Sequence, residues 1–190
     1  MNTDKTLASQ EYREDDREKL KGLLKEAIVF KETTLASGKK SHYYLDARLI
    51  TLSSVGALLV SRVLLNMLQD YDVDAIGGMT MGADPIVSAV AVLGCLEDMS
   101  IDAFIVRKQA KEHGRQKQVE GPSIKGKKVV IVDDVVTSGG SLLQTVDAAQ
   151  SAGAEVVLTT CLVDRQEGAR DLLDKRDLKF EPVFTVKELL

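Results

Sequence analysis

Apolar positions along the chain switch repeatedly between a helical and a strand period. Leu20, Leu23, Leu24, Ala27 and Ile28 share one helical face and predict an amphipathic helix from Glu14 to Phe30. The polar residues 1 to about 12 before it predict a frayed end. Ser37-Gly38 predicts a turn, and Tyr43-Tyr44-Leu45 a short strand. Ser53 is placed to cap a helix whose stripe includes Leu58, Leu59, Val63, Met67 and Leu68. A strand is expected near Asp74 to Gly77. After the loop GGMTMGAD comes a helix with Asp84 as N-cap and Pro85 at its first position. A strand at Ala103 to Val106 leads into a long polar loop, RKQAKEHGRQKQVEGPSIKGK. The β-branched run Val129-Val130-Ile131-Val132 then ends in two acids, Asp133 and Asp134. A loop of hydroxyl and glycine residues follows, then a helix ending near Gly153. The last predicted strand, Val156 to Val163, precedes Asp164-Arg165-Gln166-Glu167. The C-terminal FTVKELL reads as a final helix packed on the sheet.

Alternating strands and helices predict an α/β fold, a central parallel sheet with helices on both faces. The first 50 residues break the alternation and are expected to form a cap. The whole chain, 1–190, reads as one domain, with an N-terminal helix and hood at about 13–50 and a core at about 51–190. No internal repeat or low-complexity tract is visible.

Composition narrows the function classes. Hydrophobic residues are 44% of the chain and charged residues 28%, as in an ordinary soluble domain. A net charge of -4 gives no basic face for nucleic acid. No apolar run is long enough to span a membrane, and the N-terminus lacks the apolar core of a signal peptide, so a cytoplasmic protein is expected. Cys95 and Cys161 sit among apolar residues and read as buried, reduced thiols. With His42 and His113 as the two histidines, no cluster has the spacing of a zinc site.

The chemistry concentrates in KKVVIVDDVVTSGGS, residues 127–141. Ligands of open parallel sheets bind at the carboxyl ends of strands. Asp133 and Asp134 stand at such an end. The loop Thr137-Ser138-Gly139-Gly140-Ser141 leads into a helix N-terminus, where free N–H groups and the helix dipole favour an anion. The acids suit vicinal hydroxyls, directly or through Mg²⁺. Hydroxyls beside a phosphate describe a ribose 5-phosphate. Neither GxGxxG nor GxxxxGK[ST] is present. A response-regulator receiver opens with its acid-tipped strand, whereas Asp134 lies in the last third of this chain.

At this point the chain resembles a known family. VVIVDDVVTSGGS is similar to the phosphoribosyl pyrophosphate (PRPP) motif of type I phosphoribosyltransferases. LASGKKSHYYLDARL, GGMTMGADPI, VRKQAKEHG and VDRQEGA resemble, in order, the orotate phosphoribosyltransferase family, over roughly residues 20 to 170. RKxxKxHG together with DRxEG is the specific part.

The resemblance implies transfer of ribose 5-phosphate from PRPP to N1 of orotate, giving orotidine 5′-monophosphate and pyrophosphate in pyrimidine biosynthesis, with Mg²⁺ required. It assigns PRPP to Asp133, Asp134, Val135, Val136, Thr137, Ser138, Gly139, Gly140 and Ser141, the acids holding ribose hydroxyls and the loop the 5-phosphate. Arg107, Lys108, Lys111 and His113 match residues of a mobile catalytic loop that contacts pyrophosphate, with Gly114 as a hinge. Lys111, His113 and Asp134 are the expected catalytic residues. In the family this loop reaches the neighbouring subunit's site, which implies a homodimer. Thr137, Arg165 and Tyr44 are expected on orotate. Gly78, Met79, Thr80 and Met81 fall in the pyrophosphate loop, whose backbone amides would donate.

Two positions depart from the family pattern. Ala36 and Met81 stand where many members carry lysine, and Lys39, Lys40 and Arg48 are the candidates to compensate. A PRPP-sensing regulator would be expected to carry a nucleic-acid module, which is missing here. A transferase acting on a purine gives Arg165 no carboxylate to pair with.

Overall fold

The computed structural model of the chain describes residues 4–30, 33–34, 40–108 and 118–190. Helix α1 (Asp4–Glu26) opens it, followed by β1 (Ile28–Val29), β2 (Thr33–Thr34), β3 (Lys40–Ser41) and β4 (Tyr44–Leu45). β1 pairs antiparallel with β4 and β2 with β3, giving two small ladders beside the main sheet. A short α2 (Arg48–Thr51) and α3 (Ser54–Leu68) lead to β5 (Ala75–Met79), α4 (Asp84–Leu96), β6 (Asp102–Val106) and β7 (Val119–Glu120). The rest is β8 (Lys128–Val136), α5 (Gly140–Ser151), β9 (Glu155–Asp164), α6 (Ala169–Asp174), β10 (Phe184–Thr185) and α7 (Val186–Leu189).

The main sheet runs β10-β9-β8-β5-β6-β7. The first five strands are parallel neighbours, and β7 closes the edge antiparallel to β6. Helix layers cover both faces of this sheet, as the alternation of strands and helices leads one to expect. Strand alternation splits β8 between two cores. Val130 and Val132 face the layer of α1, α3 and α4, with Leu20, Leu24, Leu64 and Ile86. Val129 and Ile131 face the α5 layer, with Leu142, Val146 and Phe104. Burial on both faces explains why the strand reads as an unbroken apolar run.

Several local expectations change. α1 begins at Asp4, because the N-terminal stretch is rich in good helix formers despite its polarity. Ser53 caps α3, its Oγ accepting from the Gly56 N–H at 3.1 Å. The buried stripe of α3 runs through Leu59, Val60, Leu64, Leu65 and Leu68, while Leu58 is exposed. Asp84 is not an N-cap but the first residue of α4, and its Oδ2 accepts from the Thr80 hydroxyl at 2.8 Å. The polar loop after β6 is bounded by a hairpin: β7 returns along β6, and the Arg107 N–H donates to the Gln118 carbonyl at 2.9 Å. Cys95 is exposed rather than buried, and Cys161 is buried.

Candidate active site

The carboxyl ends of β5 and β8, the start of α5, and the segment after β4 enclose a cleft of about 590 Å³. Tyr44, Asp46 and Arg48 form one wall, and Thr80, Met81 and Gly82 another. Asp133, Asp134, Ser141 and Lys108 complete it. The motifs after β5, β6 and β8 meet here because each ends a strand at the carboxyl edge of the main sheet, and the segment after β4 joins them from the separate β1–β4 ladder.

The two acids lie within β8, which continues through Val136 because Val135 and Val136 keep the ladder with Val163 and Asp164. Asp133 Oδ1 accepts from the Asp134 N–H at 2.9 Å, and Asp134 Oδ1 from the Val135 N–H at 2.8 Å. Burial, then the neighbouring Asp134 charge, pushes the Asp133 carboxyl up to about 7. The opposite wall touches these acids. A Cβ on Gly82 would come within 2.7 Å of Asp134 Oδ1, so a larger residue here would force the carboxylate or the loop to shift.

Next to the cleft is a smaller cavity of about 70 Å³, lined by Asp133 and by residues 135–142, including Thr137, Ser138, Gly139, Gly140 and Ser141. Gly139, at φ +83°, turns the chain into α5 without any side-chain cap. The first N–H groups of this helix are therefore open to an anion. Asp133, Val135 and Ser141 line both cavities, so the acids and the anion cradle form one continuous surface.

Other expected residues are placed less simply. Gly78 and Met79 lie in β5, and the Thr80 N–H is taken by the Val106 carbonyl at 2.9 Å. That leaves Met81 and Gly82 to offer amides to a ligand. Arg107 stands at the hairpin base with its Nε 3.1 Å from Glu120 Oε1. Lys108 reaches the cleft, whereas Lys111, His113 and Gly114 lie outside the described residues, as do Ala36, Ser37-Gly38 and Lys39. Arg165 is only 8% exposed, at the end of β9. Its guanidinium stacks 4.5 Å from the Tyr43 ring and pairs with Glu167 at 3.0 Å. Sequence reasoning missed Tyr43, Glu167 and Asp46. A DxR pair and the DRxEG spacing were the signals available for the last two.

The geometry is matched by the comparisons. The family model described as "Phosphoribosyl transferase domain" matches residues 57–187. The orotate phosphoribosyltransferase of Streptomyces avermitilis is 48% identical over 148 residues, 78% of this chain and 81% of that protein. The enzyme of that name from Corynebacterium glutamicum is 40% identical over 96% of this chain and 98% of its own length. The crystal structure of Mycobacterium tuberculosis orotate phosphoribosyltransferase with Fe(III) dicitrate superposes with a TM-score of 0.79 at 36% identity. It covers 92% of this chain and 98% of that one. The chain belongs to the orotate phosphoribosyltransferase family. Its reaction is phosphoribosyl transfer to orotate, which makes it a pentosyltransferase of pyrimidine biosynthesis. A purine transferase and a PRPP sensor are thereby set aside.

Proposed function

We propose that this cleft holds PRPP by its two ends and joins its ribose to orotate. The observation that carries this reading is the continuity of the acid pair with the anion cradle across Asp133, Val135 and Ser141. The cradle takes the 5-phosphate on the open N–H groups of α5 and the hydroxyls of Thr137, Ser138 and Ser141. Asp133 and Asp134 accept hydrogen bonds from the ribose hydroxyls. The pyrophosphate lies toward Thr80, Met81 and Gly82. The bond from C1 of the ribose to pyrophosphate breaks as the bond to N1 of orotate forms, the N1 proton is given up to the departing pyrophosphate, and positive charge develops on the sugar. The paired carboxylates beside it stabilise that charge. Thr137, Tyr44 and Arg165 orient orotate, the guanidinium fork matching its carboxylate.

Mg²⁺ fits this donor set when it arrives with the substrate. Among the described residues no group of three or more ligating side chains could cage a metal. Two carboxylates plus substrate phosphates are an ordinary magnesium environment. Bound there, the ion would neutralise pyrophosphate as it leaves. Lys111 and His113 of the β6–β7 loop supply further positive charge, and closure of that loop excludes water from the reacting centre.

A homodimer in a cytoplasmic setting completes the reading. A groove lined by Leu49, Leu52, Met81 and Pro85 beside the cleft supports a partner subunit there, since Leu49 and Leu52 are exposed. No described helix is long and apolar enough to cross a membrane.

The decisive assay follows orotate consumption by ultraviolet absorbance with PRPP and Mg²⁺, repeated with a chelator and with Lys111→Ala. Turnover that needs all three components, and falls about a hundredfold or more in the variant, is expected. Turnover unchanged by chelation removes the metal from the reading. Full activity in Lys111→Ala removes the loop.

A further inference from the structure

The described lining of the cleft carries little positive charge for a reaction that expels pyrophosphate. Among its described lining residues, Asp46, Asp133 and Asp134 are acidic and only Arg48 and Lys108 are basic. The wall formed by the β5–α4 connection carries Met81, an apolar side chain 68% exposed. Arg48 and Met81 line the same two cavities, the cleft and the groove beside it. They are therefore neighbours on the rim that the two cavities share.

Arg48 is held in one orientation. Its Nε donates to Asp46 Oδ1 at 2.9 Å and its Nη2 to Asp46 Oδ2 at 3.0 Å, while its backbone N–H reaches Oδ1 at 3.1 Å. This two-point fork fixes the guanidinium plane and occupies one edge of it. Nη1 has no partner among the described residues. The side chain is 43% exposed. The pair is bidentate, the geometry in which an exposed ion pair can stabilise the fold, and it still leaves Nη1 as a donor on a side chain that lines the cleft. A planar donor set already ordered in the free protein loses little entropy when it takes an anion.

We infer that Arg48, oriented by Asp46, is a pyrophosphate-binding residue of this cleft and supplies the cation that Met81 does not. This rests on the reading of the cleft as the PRPP site. Arg48 would contact the pyrophosphate of bound PRPP and keep contact as the charge on it grows. Asp46 acts through Arg48 as a positioning residue.

The test separates the substrates. Steady-state constants for PRPP and orotate are measured for wild type, Arg48→Gln, Arg48→Lys and the double variant Arg48→Gln/Met81→Lys. Binding of Mg²⁺–pyrophosphate to each protein is measured by calorimetry. Arg48→Gln should raise KM for PRPP and weaken pyrophosphate binding by about tenfold or more, leaving KM for orotate within about twofold. Arg48→Lys should recover part of the loss, and adding Met81→Lys should recover more. Asp46→Asn should resemble a milder Arg48→Gln. Equal changes in both KM values, a change in orotate alone, or unaltered pyrophosphate binding would overturn the inference. Wild type that binds pyrophosphate but does not consume orotate defeats the reading of the cleft, and calorimetry on the variants still decides the role of Arg48.

Discussion

Asp133 shows how one residue's surroundings set its chemistry. A carboxyl raised by burial binds its proton more tightly in the folded chain than in the unfolded one. Its contribution to stability is complete below the ordinary value of 3.8 and is lost as pH rises to about 7. Thermal melts of the free protein should thus fall in midpoint across that window, and Asp133→Asn should flatten the fall and melt higher than wild type at pH 8. The same variant should lose about 10- to 100-fold in kcat/KM, because an uncharged amide accepts ribose hydroxyls less well. In wild type, KM for PRPP should drop as pH rises through 7, when the accepting form appears. A flat profile would mean that Asp133 is ionised throughout. Arg165 offers a second case. The turn after β9 puts Gln166 at φ +57°, its N–H donating to Asp164 Oδ1 at 2.8 Å, and so brings Glu167 back onto the guanidinium. Glu167→Gln should loosen that grip and raise KM for orotate about tenfold with KM for PRPP unchanged. Equal shifts in both constants would reduce Glu167 to a structural role.

Elements decide how closely the two walls of the site approach. The β5–α4 connection meets the end of β8 at Gly82, where a methyl group would collide with Asp134. Gly82→Ala should therefore displace the loop and the acid relative to each other. A misplacement on the order of an ångström costs about a hundredfold in rate. Since the collision is local, melting should shift far less than activity, and calorimetry against assay distinguishes the two. A variant with normal kcat/KM would show that the loop yields freely. The hairpin of β6 and β7 works in the opposite sense. It joins the two ends of the β6–β7 connection through Arg107, Gln118 and Glu120, and Lys108 next to it lines the cleft.

At the scale of the molecule, the proposed dimer predicts that one subunit completes another's site. Co-expressing differently tagged Lys111→Ala and Asp134→Asn chains makes mixed dimers. If the loop acts across the interface, each mixed dimer holds one site with both groups intact. A random one-to-one mixture then regains about a quarter of wild-type activity, although either variant alone is nearly inactive. If the loop serves its own subunit, no site is intact and no activity returns. Sedimentation of the wild type should show a dimer, and a monomer at assay concentrations would exclude the shared site.

The linear chain determined a good deal by itself. Unbroken β-branched runs alternating with helical stripes specified a two-faced parallel sheet, because only burial on both sides tolerates such strands. VDDVVTSGGS specified the acid pair and the anion cradle, since both are local to one strand, one turn and one helix start. Local motifs are legible because their geometry is set by residues adjacent in sequence. What the tertiary structure decided is everything that depends on approach between distant segments. It set Gly82 against Asp134, Asp46 and Arg48 opposite the acids, and Tyr43 over Arg165. It also raised the Asp133 carboxyl, through burial that no local pattern encodes. It left Leu58 exposed and buried Val60, because the orientation of α3 is chosen by what it packs against rather than by its own stripe. Such contacts arise from packing across the sheet, where chain distance carries no information.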